Sequence, residues 1–328
     1  MTLPEIGIEE RRCRSAGLFS QRDIFNLTNE HLYVISDELD IDITGISNKE
    51  ERVNLLWQGC LENGTMQLLY ENTQPYLFTN RGTITWFQLE NDLNLPNSKT
   101  SATDRFFALP EIKRASEKEI RPNLTAENRK PLLNRVLSLD ENAVLLEFVQ
   151  LGTKYSAMQY EIASVYTFNF TRCLLNFATG FLEVRGNLTL SKGVVTALND
   201  LLRPVLAENM FHIVKLTEAD YLKLKDTLGA VLDGTKAKNN GPDPYDTKNV
   251  TKSPDCVDLE SEEIFQEEFK DYERFTNTLI YSSKIQRLGF PQVKVRINLL
   301  EGHVTFYQQY HEEVLTEFFT CLAKVKGL

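Results

Sequence analysis

The spacing of apolar residues changes once along the chain, and that change constrains the fold more than any other feature. Between residues 20 and 75 apolar side chains recur every three or four positions, which lines one face of a helix. From about residue 76 they alternate, as on a strand. The pattern predicts an α+β protein: a small N-terminal helical bundle, 1–75, followed by an antiparallel-sheet domain, 76–328. With 328 residues the chain is long enough for about two domains.

Within the helical part, Leu32, Ile35 and Leu39 share one face, and Asn26 or Thr28 can cap the helix they define. Ile41, Ile43 and Ile46 plug the link that follows. Ser47 with Glu50 three residues on has the capping-box pattern, which opens a second helix with Val53, Leu56, Trp57 and Cys60 inward. Asn63-Gly64 tolerates the left-handed stop, and a third helix from Met66 through Leu68 and Leu69 ends at Pro75.

The sheet part opens with a strand that sets Ile84, Trp86 and Gln88 on one side and Thr85, Phe87 and Leu89 on the other. Residues 91–103 read as a loop, and 105–137 as a charge-rich, partly helical stretch broken by Pro110, Pro122 and Pro131. Strands are expected at 144–152 and 164–171, then a hairpin over 173–187 turning at Thr179-Gly180, then a helix through Val194, Leu198 and Leu202 with Ser191 as its cap. The same order returns: Val293, Val295, Ile297 and Leu299 alternate into Glu301-Gly302, Val304 and Phe306 follow, and 312–325 closes as a helix. Asn176, Phe177 and Gly180 line up with Asn298, Leu299 and Gly302. The sheet domain is thus read as two hairpin-plus-helix units, against the plainer reading that any two such units look alike. Between them, 232–255 is dense in Gly, Asn, Pro, Lys and Asp and is expected to be a mobile loop; 259–281 is read as a helix with Phe265, Phe269 and Tyr272 inward.

Several function classes are disfavoured. Lys and Arg number 36 against 46 Asp and Glu, a net charge of −10 that opposes whole-molecule attraction to nucleic acid or an anionic membrane. An acidic and arginine-rich start, with no apolar run of about 18 residues, predicts a cytoplasmic protein with no membrane partner. Five scattered cysteines, none spaced CxxC, read as reduced thiols. GxxxxGK[ST], GxGxxG, HExxH and GxSxG are all missing, so no cofactor, no metal and no catalytic residue is assigned. His311 and Cys321 stand ten residues apart on one helix, about 15 Å along its axis, too far to form a dyad.

Two local features keep alternatives open. Lys113, Arg114, Lys118, Arg121, Arg129, Lys130 and Arg135, near Phe106 and Phe107, form a basic segment over 105–135 that suits a nucleic-acid backbone, although acids interleave with them. Glu147 and Glu183, the latter two residues before Arg185, are the carboxylates a metal-dependent nuclease would need, without the lysine such a core carries.

Residues 25–75 resemble the effector-associated domains of bacterial conflict systems, small death-like helical adaptors. The resemblance rests on Leu39-Asp40-Ile41-Asp42 closing a first helix, Gly45 in the loop, Arg52 on the second helix, the Asn63-Gly64 corner and Leu68 and Leu69 on the last helix. Trp57 and Glu62-Asn63 depart from the pattern; a SAP-like nucleic-acid module and an ordinary bundle share its outline. The resemblance implies homotypic pairing with a protein partner, and oligomer formation, through Glu30, Asp37, Asp40 and Asp42 on one face and Lys49 and Arg52 on another. On this reading the chain is a non-catalytic protein-interaction component of a bacterial defence or death-signalling system, with nucleic-acid binding and nuclease activity as alternatives.

Overall fold

In a computed structural model, residues 17–76, 82–89, 102–120, 130–158, 161–186, 188–203, 211–239, 247–284, 292–308 and 310–327 are described. The protein is α+β, with helices preceding a large antiparallel sheet. Its elements run α1 (Gln21–Phe25), α2 (Asn29–Glu38), α3 (Lys49–Asn63), α4 (Met66–Thr73), β1 (Gly82–Leu89), α5 (Ala102–Ala108), α6 (Pro110–Glu117), β2 (Leu132–Ser138), β3 (Ala143–Met158), β4 (Glu161–Asn176) and β5 (Phe181–Arg185). They continue α7 (Leu188–Leu202), β6 (Phe211–Ile213), α8 (Glu218–Leu228), β7 (Val231–Asn239), β8 (Thr247–Thr251), α9 (Glu263–Phe269), β9 (Tyr272–Tyr281), β10 (Val293–Asn298), β11 (His303–Phe306) and α10 (Glu312–Lys326). No helix among the described residues is long and apolar enough to cross a membrane. The loop expected at 91–103 lies almost wholly outside the described residues.

Two compact units form, each from two stretches of chain: Met1–Ser20 with Trp86–His212, and Gln21–Thr85 with Ile213–Leu328. The first is a meander in which β2, β3, β4 and β5 pair in sequence order. Alternation divides its residues between two faces. Val144, Leu146, Phe148, Cys173, Leu175, Leu182 and Val184 share one face and are buried, and α7 supplies Val194, Leu198 and Leu202 to the same core.

In the second unit the ladder runs β1 (its residues 82–85), β11, β10, β9, β7, β8. The C-terminal helix packs on it through Phe318, whose ring centroid lies 5.5 Å from Phe306 and 6.2 Å from Tyr281. Helices α1–α4 belong to this unit: the Tyr76 ring stands 4.2 Å from His31 on α2 and 5.0 Å from His311, so contacts cross the boundary expected at residue 75. Thr28 caps α2 by accepting from the His31 N–H at 3.3 Å. Asn48, and not Ser47, caps α3, because its side-chain oxygen reaches the Glu50 N–H at 2.9 Å while the Ser47 carbonyl is taken by Arg52. Gly64, with φ 68°, ends that helix as expected.

Both units repeat helix, four-stranded meander, helix: α6, β2–β5, α7 in one, and α8, β7, β9–β11, α10 in the other, with β8 and α9 inserted after β7. The two hairpin turns match. Asn176 accepts from the Ala178 and Thr179 N–H groups, Asn298 from the Glu301 N–H, and Gly180 and Gly302 close them with φ of 68° and 66°.

Four expectations need correction. The segment 232–255 is no free loop: β7 and β8 pair from Gly234↔Thr251 to Lys238↔Thr247, with 240–246 outside the described residues. Its alternation is present from Thr235, with Thr235 and Ala237 buried against outward Lys236 and Lys238, but the outward half is polar and the composition resembles a loop. The helix read over 259–281 stops at Phe269, and β-branched Thr276, Thr278 and Ile280 continue as β9. Ser191 lies inside α7, its hydroxyl donating to the Gly186 carbonyl at 3.4 Å. Residues 132–138, within the stretch read as charge-rich and partly helical, form strand β2, whose apolar run Asn134 and Arg135 interrupt.

Candidate functional site

The β3–β4 pair is far longer than its neighbours. It is in register from Ala143↔Asn176 to Met158↔Glu161, whereas β2 accompanies β3 only up to Leu132↔Val149 and β5 accompanies β4 only back to Arg172↔Arg185. Beyond those points, from Gln150↔Asn169 onward, the pair runs on as a two-stranded ribbon about 30 Å long. Alternation sets Tyr166, Phe168 and Phe170 on one face, opposite Thr153, Leu151 and Val149. Their exposures are 57 %, 61 % and 40 %. Three successive outward aromatics on one strand make an apolar patch on that face.

Along the same face, toward the body of the unit, the stripe ends at a buried ion cluster. Arg135, Glu147, Arg172 and Arg185 occupy one row across β2, β3, β4 and β5. Glu147 is fully buried. One of its oxygens accepts from Asn134 at 2.8 Å and Arg135 Nε at 3.1 Å, the other from Arg135 Nη2 at 3.1 Å and Arg172 Nε at 3.2 Å. Arg135 also donates to the Leu18 carbonyl at 2.9 Å, pinning that N-terminal residue to this face. Glu183 accepts from Arg185 at 2.9 Å. The two carboxylates weighed as nuclease ligands therefore face guanidinium groups, and Glu147 has four donors on its two oxygens. Among the described residues no group of three or more His, Cys, Asp or Glu converges as a metal site.

The basic segment is dispersed. Lys113 and Arg114 sit on α6, Lys118 follows it, Arg121 and Arg129 lie outside the described residues, and Arg135 is buried in the ion cluster. Lys130 is on the lip of a cavity of about 580 Å³ between α7 and the β2–β3 part of the sheet, lined by Leu133, Phe148, Gly193 and Leu201, with Asp200 also on it. Phe106 packs edge-on against Phe177 at 5.3 Å and Phe107 at 5.7 Å, so it offers no open ring for a base.

Of the six helical residues assigned to a partner, two have internal tasks. Arg52 donates through Nε to the Ile46 carbonyl at 2.5 Å and through Nη2 to that of Ser47 at 3.2 Å, and lies 5.2 Å from the Tyr33 ring centre. Lys49 donates to the Leu27 carbonyl at 2.6 Å, and burial pulls its pKa down. The Asp42 carboxylate accepts from the Thr44 hydroxyl and N–H, which hold it below the usual carboxylate range. Glu30, Asp37, Asp40 and Asp42 are exposed, the bonds of Asp42 being a local surface turn; backbone and Thr28 hydrogen bonds lower the Glu30 pKa. Burial raises the Cys60 and Cys173 thiols, which keeps both protonated and unreactive near neutrality.

Alternation in the sequence is enough to place Tyr166 and Phe168 on a strand, but it does not assign them a role. The signal that does is the length of the alternation past the reach of the neighbouring strands. Compared with known proteins, the chain matches no family model and no curated protein sequence.

Proposed function

We propose that the chain is a non-catalytic, cytoplasmic protein-interaction component whose principal docking surface is the aromatic face of the β3–β4 ribbon. The observation that carries this reading is the exposed stripe Tyr166, Phe168 and Phe170 on a strand pair that runs on past β2 and β5. Interface centres are rich in aromatic side chains and poor in charge. The ribbon has that composition: between residues 149 and 170, Lys154 and Glu161 are the only charged residues. The setting implied by the resemblance of residues 25–75, a bacterial defence or death-signalling system, belongs to the same proposal, with α1–α4 as the recruiting module and Glu30, Asp37, Asp40 and Asp42 as its outward charges. The internal contacts of Arg52 and Lys49 favour the ribbon over the helices as the main surface. The saturated carboxylate of Glu147 favours binding over phosphodiester cleavage.

The test is a paired capture from cells that carry the protein, using the tagged full chain and the triple variant Y166S/F168S/F170S. A protein retained by the wild type and lost from a variant of unchanged melting temperature supports the reading. Identical retention by both contradicts it.

A further inference from the structure

The ribbon poses a stability problem that points to its occupant. A two-stranded hairpin alone in water is marginal, and needs a third strand or a packed face to persist. Past Val149 and Arg172 neither β2 nor β5 accompanies it, and its aromatic face is exposed. Resting on the docking role proposed above, we infer that the occupant is a second copy of this chain, packed ribbon against ribbon about a two-fold axis.

Charge does not oppose a second copy at this face. At net −10, two copies carry like charge and repel on average. The stretch 149–170 adds nothing to that repulsion, since Lys154 and Glu161 are its only charged residues and are opposite in sign. A foreign partner selected by charge would find nothing there to read, whereas a flat, neutral aromatic face is complementary to itself, as an isologous contact requires. With Phe168 at the axis, Tyr166 of one copy faces Phe170 of the other, and the rings meet in offset or edge-on pairs.

The three rings supply about half of the area that a stable dimer needs. An aromatic side chain buries roughly 150–250 Å² when fully covered, so the exposed fractions of the three rings amount to about 300 Å² per copy and about 600 Å² across the contact. That is about half of the ~1,200 Å² at which stable interfaces begin. Leu151 and Thr153 on the same face add to it.

The experiment is the molar mass of the full chain by sedimentation equilibrium over a concentration series, beside Y166S/F168S/F170S and Phe168→Cys treated with a short bis-maleimide. The expected result is a mass rising from 37.7 kDa to twice that value for the wild type, no rise for the triple variant, and a cross-linked pair from Phe168→Cys beyond the background of the wild-type thiols. A wild type that stays at 37.7 kDa throughout overturns self-association; the paired capture then decides separately whether the ribbon docks another protein. A dimer that survives the triple substitution overturns it as well, and so does a Phe168→Cys variant that cross-links no more than the wild type. Should the triple variant fail to fold, Phe168→Glu and the cross-link decide the question in the same way.

Discussion

Replacing Glu147 by Gln keeps the shape of the side chain and removes a negative charge that both Arg135 and Arg172 contact. Four donors lie within 2.8–3.2 Å of its oxygens, and the residue has no exposure to water. In the variant one oxygen becomes an amide that points hydrogens at a guanidinium, and two buried cations lose a carboxylate partner. Breaking one partner of a buried ion pair costs about 3–5 kcal/mol, because desolvation of the survivors is uncompensated. For a unit of this size that corresponds to a fall in Tm of roughly 6–20 °C, measured by calorimetry. Replacing Arg135, Glu147 and Arg172 together by Leu removes all three charges and is expected to recover most of the loss, since a packed apolar cluster often matches a buried ion pair. A Glu147→Gln protein that melts within about 1 kcal/mol of wild type would refute the structural role assigned to the cluster. Metal-dependent nicking of DNA by the wild type, abolished in that same well-folded variant, would restore the nuclease alternative.

Three further outcomes follow from the same kinds of contact. Arg52→Ala removes two charged hydrogen bonds and the Tyr33 contact, and is expected to cost about 2–3 kcal/mol in denaturant unfolding; unchanged stability with lost partner binding would return Arg52 to the adaptor surface. Gly302→Ala and Gly180→Ala impose the same left-handed strain of about 1 kcal/mol. Of the two, only at Gly302 does an added Cβ meet a backbone atom, the Val214 carbonyl oxygen at 2.6 Å, so Gly302→Ala should be clearly the more destabilising of the twins; equal melting points would contradict this. Burial tends to raise the Asp258 pKa, but Lys225 and the N–H groups of Leu232 and Glu260 outweigh it and hold the carboxyl below its usual range. A depressed folded pKa contributes stability above the unfolded value of about 4, and that contribution is lost as pH falls through the folded value. Thermal melts against pH should therefore show an acid limb that Asp258→Asn flattens, while lowering stability at neutral pH.

The parts legible in the sequence are those in which one local rule acts alone. Gly64, Gly180 and Gly302 each stand where a left-handed residue ends a helix or closes a turn, and the paired Asn176 and Asn298 mark the duplication. Strand β2 is hidden because Arg135 looks like a surface charge until Glu147, twelve residues away in sequence, neutralises it across the sheet. Strands β7 and β8 are hidden because their outward positions are lysines, asparagines and threonines, residues that also fill loops. The aromatic stripe reads as an ordinary strand, since alternation gives the two faces of β4 without saying which is covered. The layer packed on the sheet decides that, α7 on the face of Cys173 and Leu175, and the local pattern does not show it.

The most direct test of the ribbon as the docking face is hydroxyl-radical footprinting of the full chain, dilute and purified, against the same chain within the assembly isolated from its own cells. Strong oxidation of Tyr166, Phe168 and Phe170 is predicted in the dilute chain and their protection in the assembly. Protection confined to α2 and α3, with the three aromatics equally oxidised in both samples, would contradict the ribbon's role and return the interaction to the N-terminal helices.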